Sequence, residues 1–316
     1  MNKKLRIVFM GTPEFAVATL AKLCENGYEV VGVITAPDRP AGRGRKLQGS
    51  AVKEYAERKG LKILQPTNLK NEQFLEELRS LRANLQIVVA FRMLPKTVWS
   101  MPEYGTFNLH ASLLPDYRGA APINWAIING ETKTGATTFF IDDKIDTGKI
   151  ILQDECEITN DDTAGTLHDR LMDIGSKLVI KTVKAIERGN VEAKKQMPKG
   201  KLKQAHKIHR DTCEIDWNSS LNDIHNHVRG LSPYPTAWTT LVDGDNRSFL
   251  KIYKTVKCKE VHNLKIGSVI ATKKELKVAV QNGFIELLEI QLPGKRRMKT
   301  NEVLNGLELS KSAHMS

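Results

Sequence analysis

Apolar and polar positions along the first half of the chain switch repeatedly between the period of a strand and that of a helix. "LRIVFM" (residues 5–10) is a short apolar run that ends in a Gly-Thr-Pro turn, and "EFAVATLAKLCENG" then sets Phe15, Ala18, Leu20 and Leu23 at helical spacing up to Gly27. That pairing predicts a βα unit. "YEVVGVIT" (28–35) predicts a second strand, a polar Gly/Arg loop runs to Gly49, and Ser50 is placed to cap a helix over "AVKEYAERKG". "LQIVVAF" and "GTFNLH" predict two further buried strands, "ATTFFI" and "KIILQDECEI" another pair, and residues 163 to about 188 a long helix with Leu167, Leu171, Ile174, Leu178 and Ile186 on or near one face. Strands rich in Val and Ile and separated by helices predict an α/β fold, a Rossmann-like and mainly parallel sheet with helices on both faces.

The pattern changes after residue 189. "NVEAKKQMPKGKLKQ" (190–204) is polar, basic and broken by Pro and Gly, as a linker is. Beyond it, "FLKIYKTVKCKEV", "GSVIAT", "ELKVAVQNG" and "FIELLEIQLPG" are short alternating segments bounded by Gly, Asn-Gly or Pro-Gly, which predicts a small, OB-like β-barrel. Three parts follow: an N-terminal domain over 1–189, a linker over 190–204 and a C-terminal domain over 205–316. The last residues, "SKSAHMS", read as a tail or as a remnant of cloning.

Composition adds a partner. The 316 residues include 48 Lys and Arg against 36 Asp and Glu, a net charge of +12, which points to a polyanion. Residues 200–316 carry 19 of those cations against 12 acids, so the C-terminal part is the more basic one. The first residues hold too short an apolar stretch for a secretion signal or a membrane span, so a cytoplasmic protein with no membrane partner is expected. The cysteines at 24, 156, 213 and 258 have no zinc or redox spacing and are expected to be free thiols. "HKIH" (His206, His209) and "HNH" (His225, His227) lack a third ligand at fitting spacing, and no metal is expected.

The chemistry points to one strand end. In open α/β sheets ligands bind outside the carboxyl ends of the strands, and "GTFNLH" delivers Asn108 and His110 there on one face. An amide can donate to a developing oxyanion without changing protonation, and a neutral imidazole can take a proton near pH 7. The pair suits acyl transfer, although a lone Asn-x-His at a strand end ordinarily satisfies backbone groups. "IDDKIDTGKIIL" adds Asp142, Asp143 and Asp146 in a turn between two strands. Such aspartates are usually turn formers, but one brought near His110 would orient its ring. No nucleophile elbow surrounds Ser112, which favours direct transfer between two bound substrates over a covalent intermediate.

These residues carry a resemblance. "FNLHASLLPDYRGAAP" (107–122), with "IDTG" downstream, resembles the folate-dependent formyltransferases. The resemblance implies 10-formyltetrahydrofolate as co-substrate, with Asn108 as oxyanion donor, His110 as proton acceptor or electrostatic partner and Asp146 as the carboxylate tuning it. It further implies a folate site lined by Ser112, Leu113, Leu114, Pro115, Ala90, Phe91 and Asp142. Gly11, Pro13 and Phe15 of "GTPEFAV" would lie on the amine-substrate side of the cleft. The segment "VVAFRMLPKTVW" departs from the family pattern by carrying Arg92 where a glycine is common.

A cationic loop narrows the acceptor. "APDRPAGRGRKLQGSAVKEYA" (36–56) sets Arg39, Arg43, Arg45 and Lys46 around Gly42 and Gly44. Charge runs are commonly solvated surface, yet this loop, together with "HNHVRGLSPYPTAW" and "IQLPGKRRM", resembles the branch of the family that acts on charged initiator tRNA. That resemblance implies initiator Met-tRNA as partner and Lys295, Arg296 and Arg297 as tRNA contacts on the basic barrel, in an enzyme expected to be monomeric. A sugar-nucleotide or other amine N-formyltransferase is the alternative: it would keep the catalytic set but would not need loop and barrel together.

Overall fold

The apolar runs pair into a seven-stranded sheet. A computed structural model describes residues 4–41, 46–198 and 200–316. The strands are β1 (Arg6–Gly11), β2 (Glu29–Ile34), β3 (Ile63–Leu64), β4 (Leu85–Val89), β5 (Thr106–His110), β6 (Lys133–Phe140) and β7 (Ile150–Glu157), in the spatial order β7-β6-β5-β4-β1-β2-β3. From β3 to β5 every neighbour is parallel, and β6 runs antiparallel to β5. The sheet is therefore mainly parallel, as the near-continuous apolar runs predict. The predicted "LQIVVAF" strand stops at Val89, because Ala90 takes a left-handed φ of +47° and turns the chain out of the sheet.

Side-chain alternation divides the sheet's faces between two sets of helices. Val8, Met10 and Val88 join Ile34, Phe74, Leu75 and Leu78 in one buried cluster, to which the helix Glu72–Ser80 contributes. Leu109 points the other way, toward the helix Ala164–Glu187, where Gly175 lacks the Cβ that would fall 2.9 Å from a Leu109 methyl. Asn108 lies opposite Val88 in the parallel register and so shares the first face, with His110 two residues further on.

The chain divides into two compact units. The first comprises residues 1–119, 134–157 and 168–204, and the second residues 120–133, 158–167 and 205–316. The second unit holds an antiparallel sheet of β8 (Ala237–Asp243), β9 (Asn246–Cys258), β10 (Val269–Ala271), β11 (Leu276–Val280), β12 (Gly283–Gln291) and β13 (His314–Met315), in the order β10-β11-β12-β9-β8-β13. Its two ends meet: Met315 N donates to Gly267 O at 2.8 Å and Val269 N to Ala313 O at 3.0 Å. Closure gives the outer backbone groups partners and produces the barrel-like form. Leu250, Ile252, Val278, Val280, Ile285 and Ile290 fill it, and the helix Leu221–Leu231 adds Ile224, Val228 and Leu231 to the same core.

The closing strand corrects the reading of the last residues as a tail. Ala313 and Met315 are buried, and Ser316 exchanges backbone bonds of 2.9 and 3.1 Å with Thr240. A two-residue strand carries no periodicity, so only the partner across the barrel reveals it. Met315→Ala is expected to destabilise the protein by about 2–5 kcal/mol in urea unfolding, the range for emptying a buried Met position. An unchanged midpoint would mean that the segment is a free tail after all.

Candidate active site

The site begins with the register of β5. His110 closes the strand at its carboxyl end and is buried, whereas Asn108 is half-buried. Their Cα atoms are separated by about 6.6 Å along the strand. Among the described residues nothing forms a hydrogen bond with the side-chain amide of Asn108. An amide in this position, beside an imidazole, is placed to meet a ligand.

Both ring nitrogens of His110 face oxygen. Nε2 lies 2.8 Å from Tyr117 O, and because a carbonyl only accepts, the hydrogen of the neutral ring is assigned to Nε2. The Nδ1 lone pair then faces Asp146, whose Oδ2 is 3.8 Å away. That gap is too long for a hydrogen bond but within ion-pair distance of the ring. Asp146 Oδ2 accepts from Gly119 N at 2.9 Å, which fixes the carboxylate independently of the histidine.

The turn that carries Asp146 depends on two backbone features. Asp146 adopts a φ of +54°, a left-handed conformation that Asp tolerates better than most residues. At Gly148 a Cβ would fall 1.6 Å from Phe140 O, so only glycine lets the turn close against the end of β6. This is the physical content of the "IDTG" motif. Asp142 accepts from Lys144 N (3.1 Å) and Thr147 Oγ1 (2.6 Å), which makes it a turn former in this structure.

The loop after His110 is pinned from β6 and β7. Ser112 is buried, and its hydroxyl donates to Asp116 O at 2.7 Å. Thr137, opposite His110 in register, donates to Ser112 O at 2.6 Å and accepts from Leu114 N at 3.2 Å, while Gln153 donates to Leu114 O at 3.0 Å. Leu113 and Pro115 remain half-buried, and Leu114 turns inward. Ala90 is exposed at the end of β4, and Phe91 beside it is half-buried with the Arg92 guanidinium 5.6 Å from its ring centre.

A cleft of about 330 Å³ opens at the carboxyl ends of β1, β2 and β4 and is lined by Thr12, Pro37, Arg39, Ser50, Phe91 and Arg92, among others. Arg92 donates to Thr67 O at 2.9 Å and to Pro66 O. Burial, and secondarily the Arg39 guanidinium, pull its pKa below the ordinary arginine value. The approach to this cationic edge is braced by Asp38, which accepts from Lys53 and, at 2.7 Å, from Gln65 and is held below the usual carboxylate range by both. Of the three residues expected on the amine side, Gly11 packs against Ala16, Pro13 is exposed at a helix start, and Phe15 is buried with its ring 5.2 Å from His168.

The cationic residues are spread more widely than Asn108, His110 and Asp146. Arg39 is exposed, and Lys46 starts a short strand paired with 39–41, but Arg43 and Arg45 lie outside the described residues. In the second unit Lys295 and Arg296 are exposed, whereas Arg297 is bound to Glu289 and covers the Tyr253 ring at 4.5 Å. Among the described residues no helix is long and apolar enough to cross a membrane, and no group of His, Cys, Asp or Glu is arranged to hold a metal.

Thr137, Gln153 and Gln196 have no counterpart among the residues singled out from sequence, each being an ordinary polar residue without spacing that marks it, and Arg118 lies inside the quoted 107–122 motif without a role of its own there. The first two hold the 112–115 loop. Gln196 and Arg118 act on the Asp146 turn.

Residues 5–183 match the profile of "Formyl transferase" and residues 207–308 that of "Formyl transferase, C-terminal domain". The chain belongs to the formyl transferase family. It is 60% identical to the methionyl-tRNA formyltransferase of Flavobacterium johnsoniae, over 98% of this chain and 99% of that one, and 54% identical to the protein of the same name from Bacteroides thetaiotaomicron, over 100% and 99%. Among solved structures it is similar in fold to the sugar 3N-formyl transferase WlaRD (TM-score 0.66, 21% identity, 93% of this chain and 100% of that one). HypX from Aquifex aeolicus in complex with tetrahydrofolic acid also shares the fold (TM-score 0.65, 14% identity, 98% and 49%).

Gly148→Ala is expected to lower stability by about 1–3 kcal/mol, because the added methyl meets a backbone carbonyl that cannot move aside without breaking the strand end. The accompanying loss of activity should exceed the loss of folded protein. Thermal melts and turnover of the same preparation measure the two separately.

Proposed function

We propose that the protein transfers the formyl group of 10-formyltetrahydrofolate to the α-amine of methionyl-initiator tRNA, giving N-formylmethionyl-tRNA for translation initiation. The observation that carries this reading is the half-buried amide of Asn108, without a hydrogen-bond partner among the described residues and two residues from a histidine that faces a carboxylate at 3.8 Å. The acceptor is supported by the names of relatives at 54–60% identity over nearly the whole chain.

The reaction follows from what each group can do. The neutral amine of the acceptor adds to the formyl carbon, and the carbonyl oxygen gains negative charge, to which Asn108 Nδ2 donates. His110 takes a proton from the new ammonium at Nδ1, where Asp146 stabilises the resulting imidazolium while Nε2–H stays on Tyr117 O. The tetrahedral adduct then collapses. The carbon–nitrogen bond to folate breaks, and the proton returns from His110 to the folate nitrogen.

Folate is placed against the 112–115 loop, with Ala90, Phe91 and Asp142 near it. The cationic run of sequence with Arg39, Arg43, Arg45 and Lys46 is assigned to the tRNA backbone, as are Lys295, Arg296 and Arg297 of the domain over 205–316, and residues 190–204 connect that domain to the catalytic one over 1–189. Arg297 already has an internal carboxylate partner, so Lys295 and Arg296 are the stronger contacts.

Asn108→Ala should lower kcat by about 100- to 1000-fold without unfolding the protein, the usual effect of removing one oxyanion donor. Formyl transfer measured in parallel on charged initiator Met-tRNA, charged elongator Met-tRNA and free methionine tests the whole reading, which predicts rapid reaction of the initiator species alone. Donor turnover without transfer to any of the three would move the acceptor to another amine, such as a sugar nucleotide. Replacing Arg39 and Arg43 together by Ala should raise KM for the tRNA, leave KM for folate unchanged and reduce the salt slope of tRNA binding by about one for each phosphate that is no longer neutralised. An equal effect on a small amine acceptor would remove the loop from tRNA recognition.

A further inference from the structure

The segment that the sequence assigns to a linker is built into the support of the Asp146 turn. Lys194 and Ile150 exchange both backbone hydrogen bonds, each 2.8 Å, so residue 194 pairs with the start of β7, just past that turn. Two residues on, Gln196 Nε2 donates to the carbonyls of Asp146 and Gly148, each at 2.8 Å. Its Oε1 accepts from Arg118 Nε at 3.1 Å and Nη2 at 2.6 Å. Arg118 immediately precedes Gly119, whose N–H binds Asp146 Oδ2. One amide thus joins the backbone that carries the carboxylate to the segment that donates to it.

We propose that Gln196 is a positioning residue for the formyl-transfer reaction, holding Asp146 in its left-handed turn so that the carboxylate stays facing His110. The inference rests on the reading under Proposed function. Its physical basis is the match of side chain to task. Two carbonyls need two N–H donors and a guanidinium needs an acceptor, and a primary amide of this length supplies all three. Glutamate keeps the acceptor and loses the donors; alanine loses everything. Asp146 sits in a conformation that is unfavourable for a residue with a Cβ, so without its bound carbonyl the turn relaxes. A displacement of about 1 Å at a reacting group can lower the rate by about 100-fold.

Gln196→Ala and Gln196→Glu, each made in the natural chain and in an Asp146→Asn background, test this by steady-state kinetics on charged initiator tRNA and by single-turnover rates with excess enzyme. The expected result is a fall in kcat of about 10- to 100-fold for both variants, with KM for folate and tRNA within about threefold of the parent. Gln196→Glu should be impaired although it keeps its Arg118 partner. In the Asp146→Asn background Gln196→Ala should lower the rate by less than about threefold more, because the two residues act through one group. Three results would overturn the proposal: an unchanged kcat in Gln196→Ala, a loss confined to KM or to thermal stability, or a loss of equal size in both backgrounds. Failure of the unaltered protein to formylate any charged tRNA would instead overturn the proposed function, which keeps the two failures distinct.

Discussion

The close approach of Gly148 to the carbonyl of Phe140 is the contact on which the site depends. β6 runs antiparallel to β5, so its own end lies beside Phe107 and Asn108, and the turn that follows must fold back tightly to bring Asp146 to His110. Any side chain at Gly148 would collide with the strand it returns to. With glycine there, Asp146 can adopt its left-handed backbone and face His110. The residue types of the site are thus tied to a steric limit in the backbone as much as to chemistry.

Around this contact His110, the loop after it and Asp146 are held by groups from neighbouring segments. Thr137 and Gln153 fix the loop after His110, Tyr117 O fixes Nε2 of the ring, and Gly119 N fixes the carboxylate. Tyr117 is in turn held through its own N–H by Lys203 O at 2.7 Å, and Gln196 holds the Asp146 turn. Gln196 and Lys203 therefore reach the segments that hold both members of the His–Asp pair. The stretch whose sequence reads as a linker thus also holds the His110–Asp146 geometry.

Of the structural choices, the edge of the first sheet and the closure of the second carry the clearest physical reasons. Five parallel strands put their carboxyl ends together, which is where an open α/β sheet presents its ligands. The antiparallel β6 leads into the turn whose carboxylate folds back to the histidine at the end of β5. In the second unit the strand formed by His314 and Met315 gives the outer strands partners and buries Met315 in the core.

Burial on both faces of a parallel sheet demands near-continuous apolar runs, and for that reason the strands and helices are legible in the sequence. So are the shared face of Asn108 and His110 and the turn that carries Asp146, since period-two alternation and the Asp-x-Gly turn are local patterns. Gly148 belongs to the same motif, although its reason, the carbonyl of Phe140, exists only in three dimensions. The remaining parts come from the tertiary fold. Gln196, Arg118, Thr137 and Gln153 act through hydrogen bonds to groups 16 to 78 positions away, and the short strand at 314–315 is defined only by its partners. Local sequence records the period of burial and the steric needs of turns, but the pairing of distant polar groups depends on which segments the fold brings together.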